Sequence, residues 1–274
     1  MNVLPLALEL HPIDHVKDSN LFEGYGGSLQ HFGDALGKYG FTKQAFLFLL
    51  AGVITVALFL WRARQVRTER EPRGFGNFLE AIMLFVRDQM TRPFLGEEGD
   101  AFLPVVWTFF FFILISNLLG MVPFFDYLGE GGNTPTGSIY LTAALALCSF
   151  FIYHGIGIKK YGVGLYLKAQ IPHVPWFILP IIIPVEILAH IVRPSALAIR
   201  LFANMLAGHT LIATIVGFTV VWVNWLHWGA GISIVSFATA VALSFLELLV
   251  AVIQAFIFAF LTTVFLAGAV HPQH

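Results

Sequence analysis

Charge is scarce in this sequence. Of its 274 residues 11% are charged and 58% are hydrophobic, and the mean hydropathy of +0.80 is too high for a soluble globular domain. A formal net charge of −1 supplies no basic field for nucleic acid. The lone cysteine, Cys148, excludes an internal disulfide framework. There is no Gly-rich Lys-Ser/Thr loop and no His-Glu-x-x-His, so the usual machinery of a phosphate-handling or metal-dependent membrane enzyme is missing, and no nucleotide or other cofactor is expected. No internal repeat is visible. That counts against the rival class, an ion-coupled secondary transporter, which usually carries paired repeats with broken helices. Met1–Val16 has no basic start and holds Glu9, Asp14 and two prolines, unlike a cleaved signal peptide.

What the chain has instead is long apolar runs. Gln44–Trp61, Ala101–Val122, Ser138–Ile158, Trp176–Val216 and Ala230–Gly268 each suffice to cross the ~30 Å hydrocarbon layer as a helix. The last two exceed a simple vertical span, which predicts steep tilt, a break or a stretch in the membrane plane. Arg62, Arg64, Arg67, Arg70, Arg73, Arg87 and Arg92 follow the first run, and Lys159, Lys160 and Lys168 follow the third. Pro123–Gly137 and Gly217–Gly229 contain no Lys or Arg. The positive-inside rule then places the N-terminus outside and the C-terminus in the cytoplasm, with an odd number of crossings. The expected fold is an all-α polytopic membrane protein of about five crossing helices, its last two long tilted helices forming an antiparallel hairpin. An extracytoplasmic arm (1–43) precedes the first membrane helix (44–61). A cytoplasmic connector (62–100), a membrane domain (101–268) and a cytoplasmic tail (269–274) follow. Within the connector, Leu79, Ile82, Met83 and Val86 recur at helical spacing and predict an amphipathic helix over Asn77–Met90, at the membrane surface or against a partner.

From Ala169 to the C-terminus the only charged side chains are Glu186, Arg193, Arg200 and Glu247. An Arg cannot shed its proton to escape an apolar setting, and at the centre of a membrane helix it costs ~2.5–3.5 kcal/mol. At 100° per residue, Arg193, Asn204 and Glu186 fall within about 40° of Arg200. Ala196, Ala203 and Ala207 share that side and admit a close neighbour. In the final run Glu247 and Gln254 share a face with Ser244 and Ala251. An antiparallel hairpin turning near 227–228 sets Arg200 against Gln254 and His209 against Glu247 at almost one register. Trp222–Gly231 holds the Asn and Gly residues such a turn needs. His209 with Glu247 makes a pair able to exchange protons with water. The nearest carboxylate on the Arg200 stripe, Glu186, lies ~21 Å along the helix, so the partner of Arg200 is expected on another protein. The bland alternatives are a snorkelling Arg200, a headgroup-bound Arg193, and His154, His173 and His227 as interface anchors. His190 and Glu186 read as polar channel lining rather than metal ligands. The His11-Pro-Ile-Asp14-His15 cluster is too weak to predict a metal site.

The run Pro194-Ser-Ala-Leu-Ala-Ile-Arg200-Leu-Phe-Ala-Asn204-Met-Leu-Ala-Gly-His209 resembles the signature of the a subunit of F-type ATP synthases. Phe102-Leu-Pro…Ser116-Asn117-Leu-Leu-Gly-Met-Val-Pro123 and Glu247…Gln254-Ala-Phe-Ile-Phe258 resemble the same family, in order, over roughly residues 75–268. The resemblance implies a membrane stator in which Arg200 faces the carboxylates of a rotating ring of c subunits. Asn204 and Gln254 would be its neighbours, and His209 and Glu247 would line an aqueous half-channel with Glu186 nearby. It implies b-type peripheral stalk subunits and the lipid bilayer as further partners, protons as the ion, and a bacterial inner membrane location. The His and the acid stand in the order seen in mitochondrial members. Where many relatives carry an Asp and an Asn after Pro-Thr-Ala, this chain has Pro135-Thr-Gly-Ser138-Ile-Tyr140. Ser138, Asn117, Tyr140 and the arm's His11, Asp14 and His15 are left as inlet candidates.

Overall fold

The computed structural model describes residue 34 and residues 42–68, 74–122, 134–169, 177–225 and 229–271. The expected turn residues 227–228 and the arm's His11, Asp14 and His15 lie outside them. The described chain is helical. It runs α1 (Lys43–Thr68), α2 (Phe75–Val86), a π-turn (Arg87–Thr91), α3 (Arg92–Leu95), a 3₁₀ turn (Gly96–Ala101), α4 (Leu103–Gly120), a 3₁₀ turn (Pro135–Gly137), α5 (Ile139–Tyr161), α6 (Val163–Ala169), α7 (Leu179–Trp225) and α8 (Gly229–Val270). Five of the helices, α1, α4, α5, α7 and α8, are long and apolar enough to cross a membrane. The protein is an all-α polytopic membrane protein. The two long runs are neither broken nor shortened: α7 has 47 residues and α8 has 42. Pro184 and Pro194 lie inside α7, where each removes a ladder donor.

The helices pack as two units. One comprises the described parts of Met1–Ala51, Leu114–Leu141 and Arg200–Ile253. The other comprises those of Gly52–Ile113, Thr142–Ile199 and Gln254–His274. In the first unit the end of α4 lies against the 3₁₀ turn, and Gly120 leaves the space that the Thr134 side chain fills. The residues Thr134–Gly137 are all buried there.

The second unit has the richer core. Leu95, Tyr153, Tyr166, Leu266, Ala269 and Val270 form one buried cluster, with Phe102, Phe150 and Phe265 packed around it. Ala255 and Ala259 of α8 are fully buried, an i, i+4 pair of small residues that lets neighbouring backbones close in. Ser149 of α5 and Thr262 of α8 share a buried hydroxyl hydrogen bond of 3.0 Å. Gly162, at φ 77°, ends α5 and turns the chain into α6. That turn brings Tyr166 against Gly157, where a side chain would collide with the ring. The amphipathic helix is present as α2, with Gly76, Leu79 and Val86 buried. Trp107 donates its indole N–H to the Met83 carbonyl at 3.0 Å. Beside that buried stripe the helix carries exposed Phe75, Phe78 and Phe85, as suits a helix lying at an apolar boundary. Arg62, at the end of α1, is paired with Glu80 of α2.

Candidate functional site

The functional candidates sort by unit. In the first, Arg200 projects from α7 with its side chain exposed, and among the described residues no hydrogen bond or ion pair engages it. One turn on, Asn204 and Gly208 of α7 and Glu247 of α8 line a cavity of about 150 Å³ with Met205, Leu211 and Leu243. The walls are mainly apolar, with Asn204 and Glu247 as the polar side chains, and the space is large enough for several waters. Glu247 is 8% exposed. Gly208 is the reason it fits: a Cβ there would lie 2.9 Å from Glu247 Oε1. Gly208 opposite Glu247 is the antiparallel register predicted for the hairpin. The His209 side chain lies outside the described residues.

Asn117, an inlet candidate from the sequence, sits where three elements meet. It is fully buried, donates Nδ2–H to the Ala251 carbonyl at 3.2 Å and accepts from the Thr136 hydroxyl at 2.8 Å. Its amide therefore ties α4, the 3₁₀ turn and α8 together. Ser138 is half-buried after that turn, and Tyr140 is 84% exposed. The Ser244 hydroxyl bonds back to the Ala240 carbonyl of its own helix at 2.9 Å, on an exposed face.

In the second unit Glu186 stands between Arg193 and His190. Its Oε1 is 3.3 Å from Arg193 Nη2 and 3.6 Å from His190 Nδ1. His190 Nδ1 also lies 2.8 Å from the Glu186 carbonyl, an i, i+4 bond that settles the ring on the helix. Arg193 packs over the Phe265 ring with its guanidinium 5.9 Å from the centroid, a half-buried cation–π contact. Gln254 is 5% exposed. His154, expected to anchor at an interface, is turned inward and hydrogen-bonds Tyr166. The residues missed by sequence reasoning are Gly208, Thr136, Tyr166 and the Ala251 carbonyl. None has a periodic signal, and each matters by fit or by backbone geometry.

A polytopic helical protein that keeps Arg193, Arg200, Glu186 and Glu247 inside its spans belongs to the class of membrane proteins that handle charge. The comparisons with known proteins narrow this. A family model described as ATP synthase A chain matches residues 45–267. "ATP synthase subunit a" of Myxococcus xanthus is 42% identical over 236 residues, 85% of this chain and 74% of that protein. The protein of that name from Maricaulis maris is 39% identical over 236 residues, 85% of this chain and 90% of its own length. That from Acidiphilium cryptum is 37% identical over 260 residues, 94% and 97% of the two chains. The chain belongs to the ATP synthase A chain family.

Proposed function

We propose that this chain is the proton-path stator subunit of a rotary ATP synthase, binding no nucleotide itself and meeting a ring of c subunits. The observation that carries the reading is Arg200: a fixed charge in an apolar helix, exposed and without a partner among the described residues. A guanidinium in that position is stable only against a carboxylate or water brought from outside the chain. A carboxylate carried on a ring crosses lipid only when protonated, because the bare anion is too costly in hydrocarbon. Opposite Arg200 it gives up its proton and passes as an anion. One route to water then uses Glu247, Asn204 and His209, with Ser138 towards the inlet. The other uses Glu186 and His190, with Gln254 of the last helix. By excluding positive charge, Arg200 keeps the two routes from joining into a leak. Each proton moving down the potential releases ~2.3 kcal/mol per 100 mV, which drives the ring. Support for protons rather than Na⁺ comes from the titratable company, Glu247 with His209 and Glu186 with His190. Asn117, held by two hydrogen bonds, serves by shaping the inlet, and Ser244 lies at its margin. The b-type stalk subunits would hold the chain against rotation. The family match leaves the transporter alternative without support.

The test is Arg200→Ala in the whole complex reconstituted into vesicles. ATP synthesis and ATP-driven proton pumping are expected to vanish, with passive proton leak rising. Normal synthesis by the variant overturns the proposal.

A further inference from the structure

The second unit contains a pair of imidazoles that the scheme above does not use together. His154 of α5 and His190 of α7 stack face to face, with ring centroids 5.1 Å apart and 27° between planes. On one side, Tyr166 Oη of α6 holds His154 Nδ1 at 2.7 Å, while His154 Nε2 is buried without a hydrogen-bond partner among the described residues. On the other side lies Glu186, shared with Arg193. A cavity of about 270 Å³ lined by Phe150, His190 and Ser195 opens beside the pair.

The hydrogen bonds dictate the tautomer of His190. The Glu186 carbonyl only accepts, so Nδ1 carries the hydrogen and Nε2 is left as the proton acceptor. Protonation at Nε2 gives an imidazolium whose nearest anion is the Glu186 carboxylate, already partly engaged by Arg193. Two imidazolium rings at stacking distance repel strongly in a setting of low dielectric, so the pair holds one proton at most. The titratable and charged groups around the pair are Tyr153, Tyr166, Glu186 and Arg193; α8 contributes Phe265.

We infer that the His154–His190 pair is a one-proton relay beside Glu186 on the route leading to the Lys- and Arg-rich loops. His190 takes and returns the proton at Nε2, one N–H bond forming as one O–H bond of a water-borne proton breaks, and the reverse on release. His154, fixed by Tyr166, is a positioning residue: it orients the His190 ring and keeps the pair singly charged. This rests on the proton-path reading of the chain.

The experiment is ATP-driven pumping by the reconstituted complex at a series of pH values on the side of the basic loops. His190→Gln is expected to slow pumping roughly tenfold or more, the scale of lost acid–base assistance. Free imidazole added on that side is expected to restore most of the rate. His154→Phe keeps a stacked ring but loses the Tyr166 bond, and is expected to slow pumping less than His190→Gln and to shift its pH profile. Unchanged pumping in His190→Gln, or a loss in assembled complex that imidazole does not restore, overturns the relay. If His190→Gln fails to assemble, the His154→Phe profile decides: an unshifted profile overturns the inference. Arg200→Ala in the same preparation separates the two readings. A pumping Arg200→Ala sinks the stator scheme, whereas an inactive Arg200→Ala beside a normal His190→Gln sinks the relay alone.

Discussion

At Gly208 the absence of a side chain makes room for Glu247. A methyl group 2.9 Å from a carboxylate oxygen must displace it, since the Glu247 side chain is held between α7 and α8. Overpacking of this kind costs ~1–3 kcal/mol, and a misplaced carboxylate loses roughly tenfold in rate per 1.4 kcal/mol. Gly208→Ala is therefore expected to assemble and to synthesise ATP several-fold to a hundredfold more slowly; a normal rate contradicts the assignment of Glu247 to the path. Asn117 joins three elements through its side-chain amide. Asn117→Ala leaves the Thr136 hydroxyl without its buried acceptor and removes the second donor to the Ala251 carbonyl, which keeps its helical bond. Its expected cost is ~1–2 kcal/mol of stability, read as a lower denaturant midpoint of the purified membrane sector. No change in the midpoint would show that water replaces the amide. Arg200, Glu247, Gln254 and Glu186 were legible in the sequence because charge and amide in an apolar run are expensive and stand out. Gly208, Thr136 and Tyr166 were not. A glycine among alanines and a threonine in a turn acquire a role only when a specific neighbour arrives.

Helices are legible to the extent that their cause is local. The apolar-run reading ended the first helix at Trp61, but α1 continues to Thr68. Arg and Gln are good helix formers, so leaving the hydrocarbon does not end the helix, and the Arg62–Glu80 pair anchors the extension. The hairpin register was legible because two polar pairs agreed on it. The π-turn Arg87–Thr91 was not, because one extra residue in a turn leaves no trace in a short polar stretch. Around this turn Arg92 pairs with Asp100 at 3.1 Å, and Arg87 with Asp88 at 2.8 Å. The hydrogen bond from Arg92 holds the Asp100 carboxyl below its ordinary 3.8, and that from Arg87 does the same for Asp88. A depressed carboxylate contributes stability above its unfolded value and loses it as pH falls through the folded one. The connector is thus expected to keep constant protection between pH 8 and about 5, and to loosen only below about 3.8. Hydrogen exchange across Gly96–Ala101, corrected for intrinsic rate, reads this directly. Loosening already near pH 6 would mean that other groups hold the connector. The pairs are fully exposed, so the effect is local.

For the whole molecule, the proposed direction of proton flow depends on which face of the membrane each route meets, and loop charge alone carries that orientation. The basic residues after α1 and α5 would lie in the cytoplasm, and the Lys- and Arg-free segment Pro123–Gly137 outside. Cys148 is the only cysteine and sits within the α5 span, away from a water-soluble maleimide. It can be replaced by alanine to give a clean background. On that background Lys168→Cys is expected to react with a membrane-impermeant maleimide only in inverted vesicles, and Glu130→Cys only in intact cells. Reaction of both from one side would remove one crossing and break the odd count. An exchange of sides would invert the orientation, placing the Glu186–His190 route outside and the Glu247 route in the cytoplasm. The Arg200 barrier would survive that inversion, since it separates the two routes whichever way they face. The inlet role given to Ser138 and the outlet role given to Glu186 would be exchanged.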